Sequence, residues 1–169
     1  MLASVASMID QFNMPNIALL QKLGYQVDVA CNFIEGNTCS DARVAELKQR
    51  LQDMHVHCYQ IDFARNIKHM GQNMKALWQV EGLVKQNTYA FCHCHSPIGG
   101  VVARIAGHRT RTKVIYTAHG FHFYQGAPVM NWLVYYPVEK MLSRWTDVLI
   151  TINHEDYKLA KKKFKMKKL

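Results

Sequence analysis

Several phosphate- and acyl-handling signatures are missing from this sequence of 169 residues. It has no G-x-G-x-x-G and no G-x-x-x-x-G-K-[ST], so the glycine loops that cradle a dinucleotide or a nucleoside triphosphate have no support. It has no G-x-S-x-G elbow, which disfavours an α/β-hydrolase. No Asp-x-Asp pair occurs, which removes the usual way a carboxylate pair holds a divalent metal against a diphosphate. His154-Glu155 lacks the following histidine of a zincin. No apolar run approaches the ~20 residues of a membrane-spanning helix, so any membrane contact is expected to be peripheral. Asn-x-Ser/Thr sites and a secretory leader pattern are also missing, and five cysteines (31, 39, 58, 92, 94) form an odd, scattered set. The expectation is free thiols in a reducing cytosol.

A hydrophobic fraction of 49% with 18 aromatic residues points to one globular domain. The net charge of +9 is unevenly placed: seven of the 21 basic residues lie between Lys158 and Lys168, where there is no acid. The first 157 residues are near neutral. The plain reading of the lysines is a solvated last helix with a frayed end. The sharper one is a surface for anionic lipid or phosphate. A lysine tail alone reads no bases, so nucleic acid is not expected as a partner.

Short apolar or alternating runs take turns with helix-length stretches. Strands are expected at residues 2–7, 25–32, 55–63, 89–95, 113–118 and 147–152. Helices are expected at 11–23 (ending at Gly24), 41–53, 70–85, from Ser96-Pro97 to about Gly107, 128–145 with Pro137 inside, and after Asn153. In the 70–85 helix Met70, Met74, Leu77 and Val84 fall roughly in line. This alternation predicts an α/β fold, a doubly wound and mostly parallel Rossmann-like sheet. In such sheets ligands gather at the carboxyl ends of the strands.

Three stretches carry the candidate chemistry. Phe91-Cys92-His93-Cys94-His95 looks like a metal cluster, but strand alternation puts residues 92 and 94 on one face and 93 and 95 on the other. Each face then offers only two ligands, and no metal is expected. His95 is placed near the cleft because the strand stops there. Ser96-Pro97-Ile98-Gly99-Gly100 combines an N-cap serine with two first-turn glycines; it reads either as an anion site at a helix N-terminus or as tight helix–sheet packing. His119-Gly120-Phe121-His122-Phe123-Tyr124 follows the strand Val114-Ile115-Tyr116-Thr117. It offers a histidine for a hydroxyl or phosphate and aromatic faces for sugar rings, or else a loop folded onto the core.

The segment from 114 to 164 resembles the family 4 glycosyltransferases of capsule and exopolysaccharide clusters. The matching residues are Thr117-Ala118-His119-Gly120-Phe121-His122-Phe123, Trp132 to Glu139, and Thr146-Asp147-Val148-Leu149-Ile150-Thr151-Ile152-Asn153. His95-Ser96-Pro97-Ile98-Gly99-Gly100 and residues 11–30 resemble earlier parts of the same family. The resemblance implies a GT-B enzyme of two Rossmann-like domains, of which residues 1–169 are the N-terminal, acceptor-side half. The nucleotide-sugar-binding C-terminal domain would then lie outside this chain. It implies a retaining transfer to a glycan or polyprenyl-diphosphate-linked acceptor, without cofactor or divalent metal. His119 would be the catalytic position. His95, Ser96, Gly99, Gly100, Gly120, Phe121, His122, Phe123 and Tyr124 would bind the acceptor. An anionic membrane surface would be a partner, and the isolated chain would be inactive. Two departures from the family pattern stand out: the sequence is expected to end near the boundary of the first domain, and at its start Met1-Leu2 begins the strand directly while Ser7 to Asp10 contains no glycine. The alternatives are a non-catalytic subunit that completes an enzyme in trans, or a fragment of a GT-B-like sugar-nucleotide epimerase.

Overall fold

The computed structural model describes residues 1–64 and 69–169. Its strands are β1 (Leu2–Val5), β2 (Asp28–Asn32), β3 (His57–Gln60), β4 (Cys92–His95), β5 (Val114–Ala118) and β6 (Val148–Thr151). They form one sheet in the order β3-β2-β1-β4-β5-β6, every neighbouring pair parallel. This is the doubly wound order, with its switch point between β1 and β4.

The period of two along each strand divides the core. Leu2, Ala30, Cys94, Tyr116 and Leu149 face one way, packed with Leu77, Val80 and Val84 of α4 (Met70–Gln86) and Val102, Ala103 and Ala106 of α5 (Pro97–Thr110). Ala3, Val29 and Cys31 face the other way. They pack with Ile9 of α1 (Ala6–Phe12), Ile17 of α2 (Met14–Lys22), and Leu47 and Leu51 of α3 (Asp41–Asp53). α6 (Val129–Leu142) follows β5 and runs into a 3₁₀ turn at Ser143–Trp145; α7 (His154–Lys163) follows β6.

Several expectations are corrected. The single helix over 11–23 is two helices, because Pro15 cannot donate to the carbonyl four residues back. The chain breaks at Asn13, and Pro15 sits in the first turn of α2. Gly107 does not end α5, which runs on to Thr110. It is a packing glycine, whose Cβ would lie 2.3 Å from Val114 Cγ2. Of the four residues in line on α4, Leu77 and Val84 are buried and Met70 and Met74 are exposed. The chain end is not frayed. Phe164 is buried, Leu149 N–H donates to Lys168 O at 2.9 Å, and Lys168 N–H donates to Asp147 O at 2.9 Å. The strands are also shorter than expected, β1 giving way to α1 at Ala6 and β3 covering only His57–Gln60.

Candidate functional site

β4 and β5 lie side by side in register, His95 opposite Thr117. The alternation buries Cys94 in the core under α5 and turns His93 and His95 to the opposite face. One residue past β5, His119 joins them. His93 Nε2 is 2.8 Å from Thr117 Oγ1, and His95 Nδ1 is 3.1 Å from His119 Nε2. The His93 and His95 ring centroids are 4.4 Å apart, and the Phe12 ring lies 5.2 Å from His119. Burial depresses all three imidazoles, His93 to about 4 and His95 to about 3, with His119 below its ordinary value. All three are therefore neutral at pH 7. They can exchange hydrogen bonds with hydroxyls but bring no fixed positive charge. Among the described residues, no three or more His, Cys, Asp or Glu side chains are placed to hold a metal ion.

Ser96 stands in the turn from β4 to α5, at the switch point between β1 and β4. Its position as N-cap is as expected, but its side chain does not cap the helix. Ser96 Oγ instead accepts the Ser4 N–H of β1 at 3.2 Å. The backbone there has φ 67° and ψ 153°, a region nearly confined to glycine, so the bond to β1 helps to hold a strained turn. Gly99 and Gly100 are explained by packing. A Cβ on Gly99 would lie 2.9 Å from Ser96 Oγ, and one on Gly100 would lie 2.6 Å from the Tyr116 ring. Gly120 has φ 123°, which turns the chain sharply after His119.

The aromatics of the loop divide. Phe121 and Phe123 turn inward and stack at 4.9 Å, with Phe164 edge-on to Phe121 at 5.4 Å. Tyr124 and His122 turn outward, and His122 stacks on Tyr135 at 4.6 Å. Only these two thus keep a ring face available near the surface. The loop is tied to the first turn of α7: Asp156 Oδ2 accepts Phe121 N–H at 3.1 Å, and Glu155 Oε1 accepts Gln125 N–H at 2.7 Å. Asn153 Oδ1 caps that turn by accepting Asp156 N–H at 2.8 Å. The capping asparagine is visible in sequence, but the role of Asp156 and Glu155 as anchors of a distant loop is not.

A groove of about 490 Å³ opens on the α4–α5–α6 side of the loop. Met74, Ile98, Val101 and Val134 line it, together with Gly120 to Phe123 of the loop. Beneath it Arg104, 1% exposed, forms a bidentate pair with Glu139 at 2.7 and 3.0 Å and lies 4.1 Å over the Tyr116 ring. Arg104 Nε also donates to Gly100 O at 2.8 Å. Sequence reading missed this pair, since Glu139 showed only as part of a matching stretch. The β1–α1 junction carries no free acid: Asp10 is held by Arg43 at 2.8 Å and Arg50 at 3.1 Å.

The model of the glycosyl transferase 4-like domain matches residues 14–162. Over 93 residues the chain is 56% identical to the candidate glycosyltransferase EpsD of Bacillus subtilis (strain 168), covering 53% of this chain and 24% of that protein. Over 115 residues it is 26% identical to an uncharacterised 41.2 kDa protein in the cps region of Klebsiella pneumoniae, covering 64% of this chain and 32% of that one. The chain thus spans about a quarter to a third of the length of these curated relatives. The crystal structure of Acinetobacter baumannii MurG matches 99% of this chain and 43% of its own, with a TM-score of 0.60 at 16% identity, a likeness of fold. With that strand order, the histidine loop past β5 and a family match over most of its length, the chain belongs to the glycosyl transferase 4-like family.

Proposed function

We propose that this chain forms the acceptor-side half of a retaining glycosyltransferase that moves a sugar from a nucleotide sugar to a glycan or lipid-linked acceptor in surface polysaccharide synthesis. The observation that carries the reading is the His95–His119 pair at the carboxyl ends of β4 and β5, beside the switch point where doubly wound sheets bind ligands. Neutral imidazoles there suit sugar hydroxyls. The apolar groove at the other side of the same loop suits the hydrocarbon part of a lipid-linked acceptor. The cps region of one relative supports a capsular or exopolysaccharide setting.

In this reading the nucleotide sugar binds a second domain, which the larger size of the relatives supports. Transfer requires donor and acceptor to be aligned across a cleft, so the 169-residue chain alone does not turn over. The exposed lysines of α7 face an anionic membrane surface. Among the described residues, no helix is long and apolar enough to cross a membrane. The test is a radiolabelled transfer assay on a bacterial membrane extract with a panel of nucleotide sugars, run with this chain alone and with it joined to a donor-binding half. Transfer only with both halves, reduced at least tenfold by His119→Ala, is expected. Turnover by the chain alone would overturn the division of labour, and full activity of His119→Ala would overturn the role of that histidine.

Ile150, 41% exposed, lies on the face of β6 opposite Leu149, where parallel sheets are ordinarily covered. A second domain or a separate subunit acting in trans would both suit that face.

A further inference from the structure

We propose that His95 is a positioning residue: it fixes His119 in the tautomer protonated at Nε2, so that His119 offers the Nδ1 lone pair to a substrate hydroxyl. The inference rests on the reading of His119 as a substrate-facing residue and adds the direction of its hydrogen bond.

His95 Nδ1 and His119 Nε2 stand 3.1 Å apart, and with both rings neutral a single proton lies between them. The other nitrogen of His95 decides which ring owns it. His95 Nε2 is 3.2 Å from Met1 Sδ, and a thioether sulfur accepts but never donates. If His95 carried its proton on Nδ1, its Nε2 lone pair would face the sulfur lone pairs. A ring only 1% exposed would then hold an unsatisfied acceptor. If His95 carries its proton on Nε2, that N–H donates to the sulfur. Nδ1 then accepts from His119 Nε2–H, and both contacts are satisfied. A histidine's tautomer is set by the bond its second nitrogen makes, and here the rule runs through two rings in series.

His119 is consequently a donor toward His95, and its Nδ1 is left as an acceptor. His119 is only partly buried, and among the described residues its ring makes one hydrogen bond, to His95. An Nδ1 lone pair favours groups that donate, such as sugar hydroxyls, and disfavours groups that only accept, such as carboxylates. Burial, which keeps His95 and His119 from charging near neutrality, supports the assignment.

Nuclear magnetic resonance of the full chain labelled with ¹⁵N-histidine, near pH 7.5, reads the assignment directly. The expected spectrum has a proton attached to His119 Nε2 and a ¹⁵N–¹⁵N coupling across the hydrogen bond to His95 Nδ1. A proton attached to His95 Nδ1, or a His119 protonated at Nδ1, overturns the proposal. His95→Asn, whose Oδ1 can stand in for Nδ1, should keep the slowly exchanging His119 Nε2–H. His95→Leu should lose that resonance to solvent exchange and populate both tautomers. An unchanged His119 in His95→Leu overturns the positioning role; should that variant fail to fold, the wild-type coupling still decides. Glucose at high concentration is expected to shift His119 Nδ1 and acetate to leave it in place. The reverse pattern overturns the hydroxyl-acceptor role. All these readouts are independent of sugar transfer, so they can fail while the proposed function stands, or hold while it fails.

Discussion

The carboxylate of Asp156 accepts the backbone N–H of Phe121 at 3.1 Å, so the first turn of α7 holds the loop that begins at His119. Asp156 is 3% exposed and is itself fixed by Asn153. Asp156→Ala leaves a buried N–H without its acceptor and loosens a helix cap. The expected loss is about 1–3 kcal/mol in urea unfolding. Amide exchange at Phe121 should quicken in the native state, and unchanged protection there would refute the anchoring role.

The Arg104–Glu139 pair predicts an asymmetry between single and double substitution. Removing one partner strands a buried charge, so Arg104→Met or Glu139→Leu alone should cost about 3–5 kcal/mol. The double variant should lose less than either single one, because no charge is left to solvate in the interior. Guanidinium titration of the three variants checks this, and additive losses would contradict it.

The depressed histidines predict acid sensitivity. Unfolded, an imidazole takes up a proton near pH 6.5; folded, burial delays this to about 4 for His93 and about 3 for His95. Below pH 6.5 the unfolded state therefore binds more protons, and stability falls as pH falls, until each folded value is passed. The slope is at most about 1.4 kcal/mol per pH unit for each ring. His93→Gln keeps an acceptor or donor for Thr117 and should flatten the profile between pH 6 and 4. A profile identical to wild type would show that His93 is not a source of it.

Two glycines should respond in opposite directions to alanine. Gly100→Ala drives a methyl against the Tyr116 ring and should cost about 1–3 kcal/mol. Gly82, inside α4, has nothing within 4 Å of its missing Cβ, so Gly82→Ala should stabilise by about 0.5–1 kcal/mol. Thermal melts of both variants check the contrast.

The exposed lysines of α7 predict weak, salt-sensitive binding to anionic vesicles and little to neutral ones. Replacing Lys161, Lys162 and Lys163 by glutamine should abolish sedimentation with anionic vesicles. Lys167 is already engaged with Asp147 at 2.6 Å, and its replacement should matter less. Equal binding to both vesicle types would count against a charge-driven surface.

Much of the fold was legible from local pattern. Strand-length runs at 89–95 and 113–118, helix starts at Ser96-Pro97 and Asn153, and the repeated strand–helix order are properties of neighbouring residues, and they determined the class of sheet. The misreadings arose where a residue's local preference served a distant purpose. Gly107 resembles a helix stop but makes room for Val114, and Ser96 resembles a side-chain cap but reaches across to Ser4.

By itself the sequence determined the doubly wound class, the strand end at His95 and the loop beginning at His119. Period two and period 3.6 are written in adjacent residues, and no partner is needed to read them. Tertiary structure decided what those residues do. His95 and His119 are 24 positions apart and meet only because β4 and β5 pair in one register. Phe121 and Phe123 turn inward because Phe164, from the far end of the chain, packs against them. Arg104 finds Glu139 across 35 positions because α5 and α6 lie on the same face of the sheet. Contacts such as these depend on register and on which helix covers which strand, and neither leaves a mark on the residues nearby.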